Sequence, residues 1–325
     1  MRGAVLILLA VVCVAVPATS ADTRSERTPS LTFKLVNMKG ERRVLSRHAV
    51  DPYTYSLSPD HKELAYIAQP CEGCRDNPVM VAGVRSPRER VLVGTGCPFY
   101  GVSWSPNGRQ IALDATMGAY CHSAGLWFVK PDGSGFRPSG AKVTGEGAGL
   151  VWSPDSNYLA GSHNITVFSL ATHELRDFGQ GWGPSWSPDS SQIAYTHNDV
   201  IGVIDLSHGG APRVLHGPSQ WERGHDASWS PDGTRIAFRR WSYASLWVRP
   251  SQGGKPRRVG RGLNQLAPYI WSPKGQKIAF VSGQSLWVTG VHGRYGRFLA
   301  REYGDVRPLA WSRDGRHILY FVLRR

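Results

Sequence analysis

Helical patterning is what this 325-residue chain lacks first. No stretch repeats apolar residues at helical spacing for longer than a turn or two, which excludes helix bundles and α/β layers as the main architecture. Three enzyme signatures are absent as well. There is no Gly-x-Ser-x-Gly nucleophile turn, no His-Glu-x-x-His zinc helix and no EF-hand loop. Long apolar runs are missing beyond residues 5–16, and that run is too short for a comfortable bilayer span. Cysteines number only five, and acidic residues are outnumbered, 24 against 38 Lys and Arg, for a formal charge of +14. In an exported protein such a balance suits anionic polymers (cell-wall glycans, teichoic-type phosphates, lipid headgroups) or simply maintains solubility.

What the chain does have is a short recurring phrase, clearest at Trp229-Ser230-Pro231-Asp232-Gly233. Pro231 pre-sets the backbone angle of a tight turn, Asp232 can bond back to the backbone, and Gly233 takes the sterically awkward place. Ile236 and Phe238 follow on one face of the next strand, because strand side chains alternate. Related copies stand at Leu57-Ser58-Pro59-Asp60, Trp104-Ser105-Pro106-Asn107, Trp152-Ser153-Pro154-Asp155, Trp186-Ser187-Pro188-Asp189, Trp271-Ser272-Pro273-Lys274 and Trp311-Ser312-Arg313-Asp314. The third position advances by 47, 48, 34, 43, 42 and 40 residues across the seven copies. A repeat of about 40 residues, each with four strand-like runs, is the pattern of propeller blades.

The Trp-Ser-Pro-Asp-Gly phrase with its following Ile-Ala-Phe strand resembles the TolB-type β-propeller repeat, a WD-repeat-like family of exported and envelope proteins. The resemblance covers nearly all of the chain after its N-terminus and implies an all-β, seven-bladed β-propeller. No stretch resembles the separate N-terminal domain that TolB carries. Residues 31–36 and 43–45 read as the last two strands of a blade, whereas the C-terminal copy supplies only the first two. Ring closure follows as the expectation: the N-terminal strands complete the last blade. The motif tryptophans are expected to pack between neighbouring blades.

Residues 1–21 read as a signal peptide, with Arg2 before the apolar run and Thr19-Ser20-Ala21 at the cleavage site, the alternative being an uncleaved anchor. Residues 22–30 are a polar linker, and 31–325 form one domain. The expected location is therefore exported: secreted, periplasmic or envelope-associated, with no membrane span in the mature chain. Cleavage would remove Cys13 and leave Cys71, Cys74, Cys97 and Cys121, an even count that reads as two disulfides. A zinc pair or redox motif at Cys71-x-x-Cys74 lacks supporting context. Three pairings are possible, and Cys71–Cys74 with Cys97–Cys121 is the expected one.

In a propeller, the loops between second and third strands and between blades share one face, opposite the motif turns. Sorted this way, His122, His163, His197, Trp182, Trp221, Arg223, His225, Asp226, Arg239, Arg240 and Trp241 gather as candidate binding residues. Rigid aromatics and Arg suit a protein or ligand surface. The expected function is a non-catalytic exported scaffold that binds an envelope or secreted protein, or an anionic cell-wall polymer. It is expected to act as a monomer, without nucleic acid and without a cofactor. The competing expectation is a metal-dependent, lactonase-like propeller hydrolase with its site at the channel mouth, using some of His122, His163, His197 and His225.

Overall fold

In the computed structural model, which describes residues 29–50, 52–68, 78–94, 99–115, 124–141, 149–198, 200–207, 212–214, 225–240, 244–263, 268–293 and 296–325, every motif copy makes the same turn. The N–H groups of His61, Gly108, Ser156, Ser190, Gly233, Gly275 and Gly315 donate to the carbonyl of the motif serine at 2.8–2.9 Å. All seven of these residues have φ between 60 and 72°, the left-handed region that favours glycine. Where serine stands instead of glycine it makes a compensating bond. Ser156 and Ser190 accept the N–H of Asn107 and Asp155 from the preceding turn, at 3.1 and 3.2 Å.

The motif serine is the centre of each turn. Ser230 Oγ donates to Asp232 Oδ1 at 2.6 Å and accepts the N–H of Arg235 at 3.0 Å, and Ser230 is fully buried. The second of these bonds recurs in all seven copies. The bonds from Ser187 and Ser312 hold the Asp189 and Asp314 carboxyls below the usual carboxylate range.

The strands form six sheets, arranged as a β-propeller, with no helix among the described residues. The closing sheet combines β1 (Ser30–Asn37) and β2 (Arg42–His48) with β26 (Asp305–Trp311) and β27 (His317–Arg324), in the order β2-β1-β27-β26. Next come β3 (Pro52–Leu57), β4 (Glu63–Ala68), β5 (Val79–Gly83) and β6 (Glu89–Val93), then β7 (Phe99–Trp104), β8 (Ile111–Ala115), β9 (Gly125–Val129) and β10 (Arg137–Pro138). A seven-stranded sheet holds β11 (Val151–Trp152), β12 (Tyr158–Gly161), β13 (His163–Ser169), β14 (Leu175–Trp186), β15 (Gln192–His197), β16 (Val200–Asp205) and β17 (Pro212–Val214). Two further sheets follow. One contains β18 (His225–Trp229), β19 (Arg235–Arg240), β20 (Ser245–Pro250) and β21 (Arg257–Gly260); the other contains β22 (Ile270–Trp271), β23 (Lys277–Ser282), β24 (Ser285–Gly290) and β25 (Arg297–Arg301).

The expected ring closure is present. β1 pairs with β27 over eight residues, from Ser30↔Arg324 to Asn37↔His317. The seven repeats, however, yield six sheets rather than seven. The reason is the short 34-residue step between the third and fourth copies, which leaves no connecting loop. β14 instead runs straight through, pairing with β13 as far as Gly181 and with β15 from Trp182 onward.

Four motif tryptophans tie their repeat to the one before, whereas the indole nitrogens of Trp104 and Trp229 are buried with no partner among the described residues. The indole N–H of Trp152 donates to the Ser103 carbonyl and that of Trp186 to the Val151 carbonyl, both at 3.0 Å. Trp271 and Trp311 repeat the pattern to Ser228 and Ile270, at 3.2 Å each. Apolar clusters fill the spaces between sheets, such as Ile67, Val79, Phe99, Trp104 and Leu113 between the first two repeats.

Two outcomes follow for stability. Ser230→Ala removes both turn bonds in a fully buried site and is expected to cost about 2 kcal/mol in a urea titration. Deleting Ser30–His48 strips two strands from the closing sheet and is expected to give aggregates or a sharply lowered Tm; a deletion variant that melts like the full chain would show that closure is dispensable.

Candidate binding face

The face opposite the motif turns is built where β12 turns into β13 and β14 crosses between repeats. His163 opens β13 with φ of 78° and lies in register with Gly181. A side chain at Gly181 would lie 2.5 Å from the Tyr195 ring and 2.7 Å from Ile165, so only glycine lets β14 pass. Trp182 follows, with its ring centroid 3.9 Å from that of His163 and half of its surface exposed. The adjacent Gly183 N–H donates to Ser162 Oγ at 3.1 Å. His197 ends β15, where its Nε2 meets the Asn198 amide at 3.0 Å. Asn198, Asp226 and Ala244 also have positive φ, so several non-glycine residues on this face hold a backbone shape that costs energy.

Other candidates are strand residues rather than loop residues. Asp226 in β18 forms an ion pair with Arg239 in β19. Tyr269 donates its hydroxyl to the backbone carbonyl of Asp226 and, at 3.0 Å, to that of Ala237. Burial and the nearby Asp226 charge push that hydroxyl well above its ordinary pKa. Arg240, expected on a loop, is instead the last residue of β19. It is buried, with its guanidinium 4.0 Å from the Trp247 ring, because strand alternation turns it inward. His225 begins β18, and only its backbone is described. His122, Trp221, Arg223, Trp241 and all four expected disulfide cysteines, Cys71, Cys74, Cys97 and Cys121, lie outside the described residues, as does the expected signal peptide.

Aligning the repeats on their second strands exposes a feature that a scan of loops misses. The fourth position after the motif's strand start is Ile67, Asp114, Ser162, Thr196, Arg239, Val281 and Phe321 in turn. This position shares a strand face with the small residue two places earlier, as Ile67 does with Ala65, and that face meets the following repeat. It is apolar in repeats one, six and seven and polar in repeats two to five. Under the candidate face there is thus a polar arc spanning one side of the ring, the side that carries His163, Trp182 and His197.

Two members of the arc are buried without satisfaction. Thr196 Oγ1 has no hydrogen-bond partner among the described residues. Asp114 is 4% exposed and has no hydrogen-bond or ion-pair partner among the described residues, and burial alone pushes its carboxyl from the ordinary 3.8 up to about 7. Buried polar groups in native proteins are nearly always bonded, so such exceptions point to sites of interaction or chemistry. Among the described residues, no three His, Cys, Asp or Glu side chains form a group able to hold a metal ion.

Comparison with known proteins reaches the fold and goes no further. No protein-family model matches the chain. No curated protein sequence matches it. Solved structures do. The protein assigned as TolB in Agrobacterium tumefaciens superposes with a TM-score of 0.54 at 16% identity, over 91% of this chain and 99% of its own. The hydrazine synthase of Kuenenia stuttgartiensis gives 0.54 at 17% identity, over 74% of this chain and 76% of its own. The fold is a β-propeller. Both likenesses are structural, and at such identities they carry architecture rather than activity.

Asp114 gives this propeller a defined pH response. A raised folded-state pKa means that the native state binds the proton more tightly, so stability is fullest below about pH 4, falls as pH rises towards about 7, and then levels. Asp114→Asn removes the buried charge. It is expected to match the parent near pH 4 and to exceed it at pH 8 by on the order of 4 kcal/mol. Thermal melts across that range check it, and an equal or less stable variant at pH 8 would show that Asp114 is paired.

Proposed function

We propose that the chain is an exported, non-catalytic, TolB-like propeller scaffold that binds a secreted or envelope protein, or an envelope ligand, on the face opposite its motif turns. The observation that carries this reading is Trp182, a half-exposed aromatic seated on His163 above a polar arc with unsatisfied groups. A soluble protein gains little from leaving an indole in water, whereas a rigid, half-buried tryptophan is a common energetic anchor in interfaces. The domain reading belongs to the same proposal: a leader at 1–21, a linker at 22–30, and one seven-bladed unit over 31–325. The seven-stranded sheet then counts as two blades that share β14, which supports one blade per motif copy. Cellular location in the envelope follows from the leader and remains part of the proposal. One observation favours the second reading, a hydrolase at the channel mouth: a buried carboxyl raised to about 7 is poised for proton transfer near neutral pH.

The test is capture of partners from the native envelope by the full chain and by Trp182→Ala, with Tm recorded for both. Loss of an interface tryptophan is expected to weaken capture by about thirtyfold, about 2 kcal/mol, at an unchanged Tm. Capture that survives the substitution, or a variant that unfolds, would move the binding face elsewhere. Stoichiometric Zn²⁺ or Ca²⁺ in purified protein would favour the hydrolase.

A further inference from the structure

The positive charge of this chain is concentrated in one arc. Residues 233–301 contain 13 Lys and Arg and no Asp or Glu, so the other residues carry 25 basic against 24 acidic groups, and nearly the whole net charge of +14 arises here. These residues build the sheets β18 to β21 and β22 to β25. Between them lies an open-sided cavity of about 470 Å³, lined by Arg258 and Arg261 from the β21 side and by Phe280 and Trp287 from the next sheet. Both arginines are exposed, and neither guanidinium has a hydrogen bond or ion pair among the described residues.

The cavity is built into the sheet contact. Thr289 Oγ1 donates to the Val259 carbonyl at 2.7 Å and fixes the two sheets together. Glycines open the space. A Cβ at Gly296 would make ordinary contacts of 3.5 Å with both Phe280 and Trp287, so any longer side chain there enters the recess. The basic row continues past the cavity on exposed Lys255, Arg257, Arg297 and Arg301. Charged outer strands guard sheet edges against aggregation, which accounts for the exposure of Arg258 and Arg261 but not for their place beside an aromatic recess.

We infer that this cavity, between repeats five and six and apart from Trp182 and His163, is a binding site for a carboxylate-bearing sugar of an anionic polysaccharide. Each part of the site matches a part of that ligand. A guanidinium fork matches a carboxylate in two parallel bonds. The negative face of the partly exposed Trp287 ring attracts the slightly positive C–H face of a saturated sugar ring. The volume lies within the range of ligand pockets. The flanking basic row extends the attraction along a polymer. Polynucleotides instead stack on protruding aromatic platforms, whereas Phe280 is only 3% exposed and forms a wall.

Titration calorimetry of the full chain at low salt tests the site with oligogalacturonate, a neutral oligosaccharide, polyphosphate and single-stranded DNA. Oligogalacturonate is expected to bind, and the neutral oligosaccharide is not. Arg258→Gln with Arg261→Gln, and separately Gly296→Leu, are expected to weaken binding by about tenfold or more. Arg313→Gln with Arg316→Gln, at a distant motif turn, is expected to leave it unchanged. Should Gly296→Leu fail to fold, the arginine pair decides. No binding of oligogalacturonate overturns the inference. So does equal or tighter binding of polyphosphate or DNA, or full affinity in the folded Gly296→Leu or arginine variants.

Discussion

Everything in this molecule depends on the antiparallel pairing of β1 with β27. A ring of sheets confines each sheet between two neighbours, and that confinement fails if the ring has a seam. Eight residue pairs join the two ends of the chain here, and Phe33 packs edge-on against Phe321 with their ring centroids 6.4 Å apart. The pairing lies between residues almost three hundred positions apart, so its loop-closure cost falls late, after local turns have formed. The same region is stitched electrostatically. Glu302 receives Lys34 at 2.5 Å, Arg42 at 3.3 Å and the Tyr320 hydroxyl at 2.8 Å, so a buried carboxylate from the preceding repeat is fully satisfied by the closing sheet.

Within that ring, the seven turns are variations on one hydrogen-bond pattern, and the variations are informative. Glycine supplies the left-handed residue four times. Ser156 and Ser190 tolerate the same backbone because each hydroxyl bonds to the neighbouring turn, so strain in one repeat is offset by a link to another. Lys274 replaces the aspartate of its copy, yet the N–H of Lys277 still bonds to Ser272 Oγ at 3.0 Å. The serine, not the aspartate, is the member whose bond is common to all seven turns. This explains why the phrase survives substitution at its other positions.

The ring also differs in chemistry from one sector to the next. Its polar arc beneath the candidate face covers repeats two to five, and its basic sector covers repeats five and six. One side offers an aromatic anchor with unsatisfied polar groups, the other an aromatic recess with unpaired arginines. Scaffolds of repeated units can vary such features unit by unit, because each repeat packs mainly on its neighbours.

Much of the fold was legible in the chain itself. The motif spacing, the alternating strand after each turn and the split last repeat are local or periodic properties, and periodicity directly reflects which side chains must face a core. The candidate site was legible only in outline. His163, Trp182 and His197 sort to the end opposite the motif turns, because loop position follows from strand order. Arg240 was misjudged, since whether a residue at a strand end turns inward depends on the packing of Trp247 against it. The merging of two repeats along β14 escaped notice because a strand that changes partner midway has no sequence signature of its own. Asp114 and the recess beside Trp287 are likewise decided by tertiary structure. Burial of a carboxyl, or a space between two sheets, exists only once distant strands meet. The sequence alone determined the repeat, the turn and the closure. Solvent exclusion between neighbouring sheets determined which polar groups are left without partners, because an unpaired buried group arises only where two sheets meet.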